Sequence, residues 1–230
     1  MHRFLFILVA SFFAQANNAA EAIRTLDARV YHLGTPGFPE WEEFAKSQAH
    51  GRRLDIKFEA VPNAQPQTLL IRQRQVKARW PVLLNNQRIG YLLNIDSKLV
   101  HSITVPAGKL RAGENILSIV APKTTDDIEV GPVKLTARSP EQLFSAALTV
   151  AVTNKKNDHS IPCRITVVNE HDALAAVLPE PNQQLAHRPG VIYLSSGNLR
   201  LNLQPGQYTI YASRGFEYSV AKQTVTVNKG

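Results

Sequence analysis

The sequence predicts an all-β protein built as two tandem antiparallel β-sandwiches, and three observations carry that reading. Apolar and polar residues alternate with period two in short runs, as in Leu54-Asp55-Ile56-Lys57-Phe58 and from Tyr208 to Ser213. Turn residues punctuate these runs at regular intervals, as in Asn85-Asn86-Gln87, Pro106-Ala107-Gly108 and Pro205-Gly206. The series is interrupted at Ser139-Pro140, and a second series follows.

The first residues stand apart from this pattern. Met1-His2-Arg3 is a short positive segment, Phe4 to Phe13 is apolar and uncharged, and Ala14-Gln15-Ala16 offers a small-x-small cleavage site. These are the three parts of an export signal, too short to cross a bilayer, which needs about 20 helical residues. Residues 1–16 are therefore assigned to a signal peptide, which predicts a secreted or periplasmic protein. No later stretch is long and apolar enough to span a membrane.

Within residues 17–138, Arg29 to Leu33 reads as a short strand ended by Gly34-Thr35-Pro36-Gly37. A helix is predicted next: Pro39 suits a first helical turn, Trp41, Phe44 and Ala45 share a face, and His50-Gly51 is a stop. Strands follow at 54–58, 68–76, 80–84, 88–92, 100–105, 116–121 and 127–135, with a tight hairpin at Asn85-Asn86-Gln87. About eight strands with regular turns imply a sandwich or jelly roll rather than a parallel α/β sheet.

Residues 139–230 open with one helical turn at Glu141 to Phe144. Strands are predicted at 148–152, 164–168, 191–194, 199–203, 207–212 and 219–227, and the stretch from Asp172 to Gly190, with three prolines, reads as a long surface loop.

Composition narrows the function classes. The chain has 230 residues, 44% of them hydrophobic, so a packed core is available. The lone Cys163 leaves no internal disulfide and no multi-cysteine metal site; its apolar surroundings read as a buried structural thiol. Lys and Arg number 26 against 18 Asp and Glu, a formal net charge of +8. The densest basic group, Arg72, Arg74, Lys77 and Arg79, lacks interleaved aromatics and reads as a solvated row. Nucleic acid is not expected as a partner; an acidic polysaccharide remains open. Trp80 alternates with Val82 and Leu84 and is expected in the core, as is Trp41.

Three resemblances follow from longer motifs. The stretch TLLIRQRQVKARWPVLLNNQRIGYL carries an Asn-x-x-x-x-Gly hairpin, and Pro106 to Leu117 reads Pro-x-Gly-x-Leu-x-x-Gly-x-Asn-x-Leu. This half resembles a galactose-binding-like jelly roll. The second half, with LTVAVTNKKNDHSIPCRITVVNE and LQPGQYTIYASRGFEY, resembles carboxypeptidase-regulatory-like or transthyretin-like sandwiches, which are Ig-like in architecture. The set PCRITVV, RPGVIY and RGFEY further resembles the region preceding the catalytic domain of secreted carbaryl-hydrolase-like metallohydrolases, of the polymerase-and-histidinol-phosphatase superfamily. Those enzymes use a His-x-His motif. This sequence contains none, so no metal ligand is carried over, and the resemblance implies an accessory region whose partner is a hydrolase catalytic domain in cis or in trans.

Few residues advertise chemistry. The seven histidines lie at no spacing that converges on a metal. Asp126, Asp127 and Glu129 form the best acidic group, with two readings: a calcium site at a sandwich rim, or a turn running into a solvated strand start, which the shortness of the motif favours. No other cofactor is implied. The turn Ser213-Arg214-Gly215-Phe216-Glu217-Tyr218-Ser219 is the second candidate. Either its phenyl ring plugs the end of the sandwich, or Arg214, Phe216 and Tyr218 make a docking rim; arginine and aromatics are enriched in such contacts, and the resemblance tips the reading toward docking. The expected function is that of a non-catalytic binding or docking protein. The alternatives are a free-standing carbohydrate-binding protein of the cell envelope and a hydrolase with a site between the two domains.

Overall fold

The computed structural model describes the backbone of residues 5–11 and residues 23–44, 48–123, 125–180 and 184–228. It is all-β and antiparallel throughout its named strand pairs, and it divides into two compact units. One comprises Ala20–Pro140; the other comprises Glu141–Gly230 together with the N-terminal residues up to Ala19.

The first strand, β1 (Leu5–Ser11), lies in the apolar run assigned above to an export signal. Its backbone pairs with β11 of the second unit and forms an edge of that sheet. Without it, β11 would be the edge. The positive segment and the cleavage site at 14–16 lie outside the described residues.

The Ala20–Pro140 unit contains β2 (Arg24–Asp27), β3 (Tyr31–Leu33), a 3-10 turn at Glu42–Phe44, β4 (Arg53–Ala60), β5 (Gln67–Arg74), β6 (Pro81–Leu84), β7 (Gln87–Tyr91), β8 (Leu99–Val105), β9 (Gly113–Val120) and β10 (Ile128–Thr136). One sheet runs β2-β10-β5-β8, with β3 also on β10, and the other runs β4-β9-β6-β7. Strand β4 alternates buried and exposed residues as its sequence predicts, with Leu54, Ile56 and Phe58 inward. These pack with Leu69, Ile71, Trp80, Leu117 and Ile119 in one apolar core.

Two of the quoted motifs are devices of this sandwich. Asn85 and Asn86 turn the β6–β7 hairpin with φ of 50° and 64°, a conformation asparagine tolerates better than most residues. In Pro106 to Leu117, Leu110 and Leu117 enter the core. Asn115 is fully buried and satisfied: its Oδ1 accepts from Asn85 Nδ2 (2.8 Å) and Arg111 N (3.0 Å), and its Nδ2 donates to the carbonyls of Arg111 and Gly113 (both 2.9 Å).

The predicted helix after Pro39 is corrected to the single 3-10 turn Glu42–Phe44; Ala45 lies outside the described residues. Tertiary contacts override the helical spacing. Phe44 is buried against His32, ring centroids 4.3 Å apart, while Trp41 is only half-buried beneath Lys77 Nζ, 3.5 Å from its ring.

The chain enters the second unit through α1 (Pro140–Leu143), and that unit contains β11 (Ala146–Asn154), β12 (Cys163–Asn169), β13 (Leu178–Pro179), β14 (Leu185–Arg188), β15 (Val191–Leu194), β16 (Asn198–Leu203), β17 (Gly206–Ser213) and β18 (Ala221–Val227). The sheets run β1-β11-β16-β13 and β14-β15-β12-β17-β18 around a core of Leu148, Val150, Ile165, Val167, Leu201 and Ile210, among others. The predicted long loop from Asp172 to Gly190 is corrected: it contributes the edge strands β13, on β16, and β14, on β15. No helix among the described residues is long and apolar enough to cross a membrane.

Candidate functional site

At one end of the five-stranded sheet, β12, β15 and β17 stand side by side. Their register places Cys163 opposite Leu194, and Arg164 opposite both Tyr193 and Ser213. The chain leaving β17 then turns at Gly215, whose φ of 72° suits glycine and whose missing Cβ would meet nothing within 4 Å. Tyr218 N donates to Gly215 O at 3.5 Å, so Phe216 and Glu217 form the tip.

An open depression of about 510 Å³ lies there, lined by residues 162–164, Tyr193, Leu194 and residues 213–215. The three segments that carried the metallohydrolase-like resemblance, PCRITVV, RPGVIY and RGFEY, all contribute to its wall. They are separated in sequence and brought together by strand pairing.

The three predicted rim residues have different places. Arg214 is exposed and reaches back along the rim, its Nη1 donating to Pro162 O at 3.3 Å and its guanidinium 5.5 Å from the Tyr218 ring. Phe216 is fully exposed. Tyr218 is half-buried against the core. The reading in which the phenyl ring plugs the sandwich is therefore corrected: Tyr218 packs inward and Phe216 points out, because the chain turns at 215–218 instead of continuing as a strand.

Cys163 lies in the wall but is only 7% exposed. Burial pushes its thiol pKa up to about 11, with Arg214 pulling weakly the other way. A thiol so disposed is a packing residue, poorly suited to nucleophilic attack.

The acidic group has a structural occupation. Asp126 Oδ2 accepts from Trp80 Nε1 (2.7 Å), Ala78 N (2.9 Å) and Lys77 N (3.2 Å). Burial raises the Asp126 pKa, partly opposed by these donors. Asp127 Oδ2 accepts from Glu40 N at 2.6 Å, and Asp127 N donates to Glu40 Oε2 at 3.3 Å, which clamps the 39–44 segment to the start of β10. Asp127 precedes β10 and is fully buried, whereas Glu129 is half-buried and pairs with Arg72 (3.2 Å) and Arg74 (3.8 Å). The strand start at Asp127 is thus buried rather than solvated. The basic row Arg72 and Arg74 is thus partly neutralised across β5 and β10. Among the described residues, no group of three or more His, Cys, Asp or Glu side chains is placed to hold a metal ion.

Sequence reasoning missed His32, whose Nε2 lies 3.7 Å from Asp127 Oδ2. No local spacing could have revealed it, since β3 and the residue before β10 are almost a hundred positions apart.

No family model matches the chain, and no curated protein matches it. Solved structures do. A Bifidobacterium dentium beta-glucuronidase complexed with coumarin-3-O-glucuronide is 13% identical over 95% of this chain and 50% of its own, with a TM-score of 0.30. A Faecalibacterium prausnitzii beta-glucuronidase is 12% identical over 93% of this chain and 47% of its own, with a TM-score of 0.29. An uncultured Clostridium sp. beta-glucuronidase is 10% identical over 95% of this chain and 46% of its own, with a TM-score of 0.31. The chain spans half or less of the length of these structures, and likeness at this level assigns it neither activity nor ligand.

Proposed function

We propose that the chain is an exported, non-catalytic contact module that docks a protein partner through the Arg214–Phe216 turn. One observation carries this: three sequence segments distant along the chain converge on a single depression, and the chain that leaves its wall at Arg214 and Gly215 continues into a fully exposed Phe216. An exposed phenyl ring forgoes the roughly 2 kcal/mol of burial it could gain in a partner's pocket, and rims of this composition supply binding hot spots. The resemblance of these segments to an accessory region makes a hydrolase catalytic domain, in cis or in trans, the partner chemistry this reading selects.

A photo-crosslinking residue placed at Phe216, in the protein expressed in its native host, tests it. One discrete protein adduct at position 216, absent when the same residue replaces the exposed Val61, is the expected result. Purified chain should turn over neither ester nor phosphoester substrates with divalent metal. Lack of any adduct at 216, or turnover abolished by substitution of the chain's own histidines or carboxylates, would overturn the proposal.

A polysaccharide-binding reading is favoured by the composition of the outer face of the same sheet, whose Arg164 and Tyr193 also line the depression.

A further inference from the structure

The five strands β14, β15, β12, β17 and β18 contain no Asp or Glu. Their cations do not disperse. Residues opposite one another on paired antiparallel strands share a face, and burial separates the two faces on β12 and β17, while on β15 Val191 is buried although it lies on the outer side. Ile165, Val167, Ile210 and Ala212 are buried, and Arg164, Thr166, Tyr211 and Lys222 lie on the other side.

Two rungs of that outer face matter. One runs Tyr193, Arg164, Ser213 across β15, β12 and β17. The next runs Arg188, Val191, Thr166, Tyr211, Lys222 across all five strands. Tyr193 is 49% exposed, and Arg164, Arg188 and Lys222 are exposed. Among the described residues none of these three cations has a carboxylate partner. Lys222 Nζ instead lies 5.7 Å from the Tyr211 ring centroid. The two tyrosines stand two strands apart, about 10 Å, and one two-residue step along the sheet.

We infer that this face binds an extended acidic polysaccharide, a polyuronate, with Tyr193 and Tyr211 receiving sugar rings and Arg164, Arg188 and Lys222 pairing with the uronate carboxylates. The inference rests on the reading of the chain as a contact module. Aromatic faces attract the C–H faces of sugar rings through their negative quadrupole, and a guanidinium fork matches a carboxylate in a bidentate pair. Charge complementarity selects an anionic ligand, since no carboxylate on these strands would repel it. Three cations are few for nucleic acid, where binders neutralise on the order of six to ten phosphates.

The test uses the full chain in affinity electrophoresis with alginate, the same polymer carboxyl-reduced, the neutral glucan laminarin, and single-stranded DNA. Retardation by alginate is expected, at least about tenfold weaker with the carboxyl-reduced polymer and with laminarin, since each unit charge pair lost shifts affinity by about that factor, and at least about tenfold weaker with DNA, for which three cations are too few. Arg164→Ala and Tyr193→Ala should each weaken alginate binding about tenfold without changing Tm; Lys123→Ala, exposed in the other unit, should not. Equal binding of the carboxyl-reduced polymer, DNA binding as tight as alginate, or no effect of Arg164→Ala and Tyr193→Ala would overturn the inference, as would no binding at all. Arg164 and Tyr193 also line the depression of the docking reading, whereas Arg188 and Lys222 do not, so Arg188→Ala and Lys222→Ala, which should each weaken alginate binding about tenfold and leave the adduct at position 216 intact, separate the two. Loss of polymer binding with an intact adduct removes the glycan face alone, and turnover by the purified chain removes the contact-module reading itself.

Discussion

The indole Nε1 of Trp80 donates to Asp126 Oδ2 at 2.7 Å, joining two residues 46 positions apart inside the first sandwich. Trp80 is fully buried, and the same oxygen takes the backbone N–H groups of Lys77 and Ala78. Asp126→Ala would strand all three donors and should destabilise the protein by about 3 kcal/mol, whereas Asp126→Asn, which keeps an acceptor oxygen, should cost about 1 kcal/mol. Urea denaturation followed by tryptophan fluorescence measures both. Equal costs for the two variants would show that the acceptor is not what matters.

Asn115 meets four partners with no solvent contact. Asn115→Ala should therefore cost about 2–3 kcal/mol, and Asn115→Asp a comparable amount, because the carbonyls of Arg111 and Gly113 would face a carboxylate. Thermal unfolding of both variants checks this; a wild-type Tm for either would be incompatible with the network.

His101 on β8 carries a pH signature. Its Nε2 lies 3.2 Å from Tyr91 O, and burial lowers its pKa from 6.5 to about 4. A depressed imidazole pKa means that the unfolded chain binds the proton first. Stability from this group is intact above pH 6.5 and falls as pH drops toward 4, by at most about 3 kcal/mol. His101→Gln should flatten stability over that window, as read by denaturation midpoints at pH 7, 5.5 and 4.5.

Two glycines of positive φ should respond differently to alanine. At Gly131, φ 103°, a Cβ would come within 2.2 Å of Arg29 O at the β10 irregularity, so Gly131→Ala should cost about 3 kcal/mol or more. At Gly215 the space is open, and Gly215→Ala should cost only the backbone strain, about 1 kcal/mol. Matching losses in Tm would refute the distinction.

The Cys163 thiol, buried and raised to about 11, should react slowly with iodoacetamide at pH 8 in the native protein and rapidly in urea. Fast native alkylation would mean that the end of β12 opens readily.

Much of the strand layout was legible because alternation is a local signal. Leu54, Ile56 and Phe58 bury on one side of β4 as their spacing implies, and Trp80 goes inside with Val82 and Leu84. The edges were not legible. Strands β2, β13 and β14 are short and partly or wholly exposed, and β13 contains Pro179. An edge strand needs partners on one side only and so imposes no apolar period. The helical spacing of Trp41 and Phe44 misled for the converse reason: 3.6-residue periodicity is a weak prior, and the Glu40–Asp127 clamp with the Phe44–His32 stack holds a tighter turn.

The residues alone determined that this chain is all-β, where its principal strands and turns fall, and that its one cysteine is a packing residue. Tertiary structure decided which strands are neighbours, and with it that PCRITVV, RPGVIY and RGFEY share one depression, that Phe216 and Tyr218 part, and that the acidic group near Asp126 clamps the fold. Alternation reports which side of a strand meets the core, a property of nearest neighbours in sequence. Pairing in an antiparallel sandwich joins residues tens of positions apart, and no local pattern encodes the choice among partners.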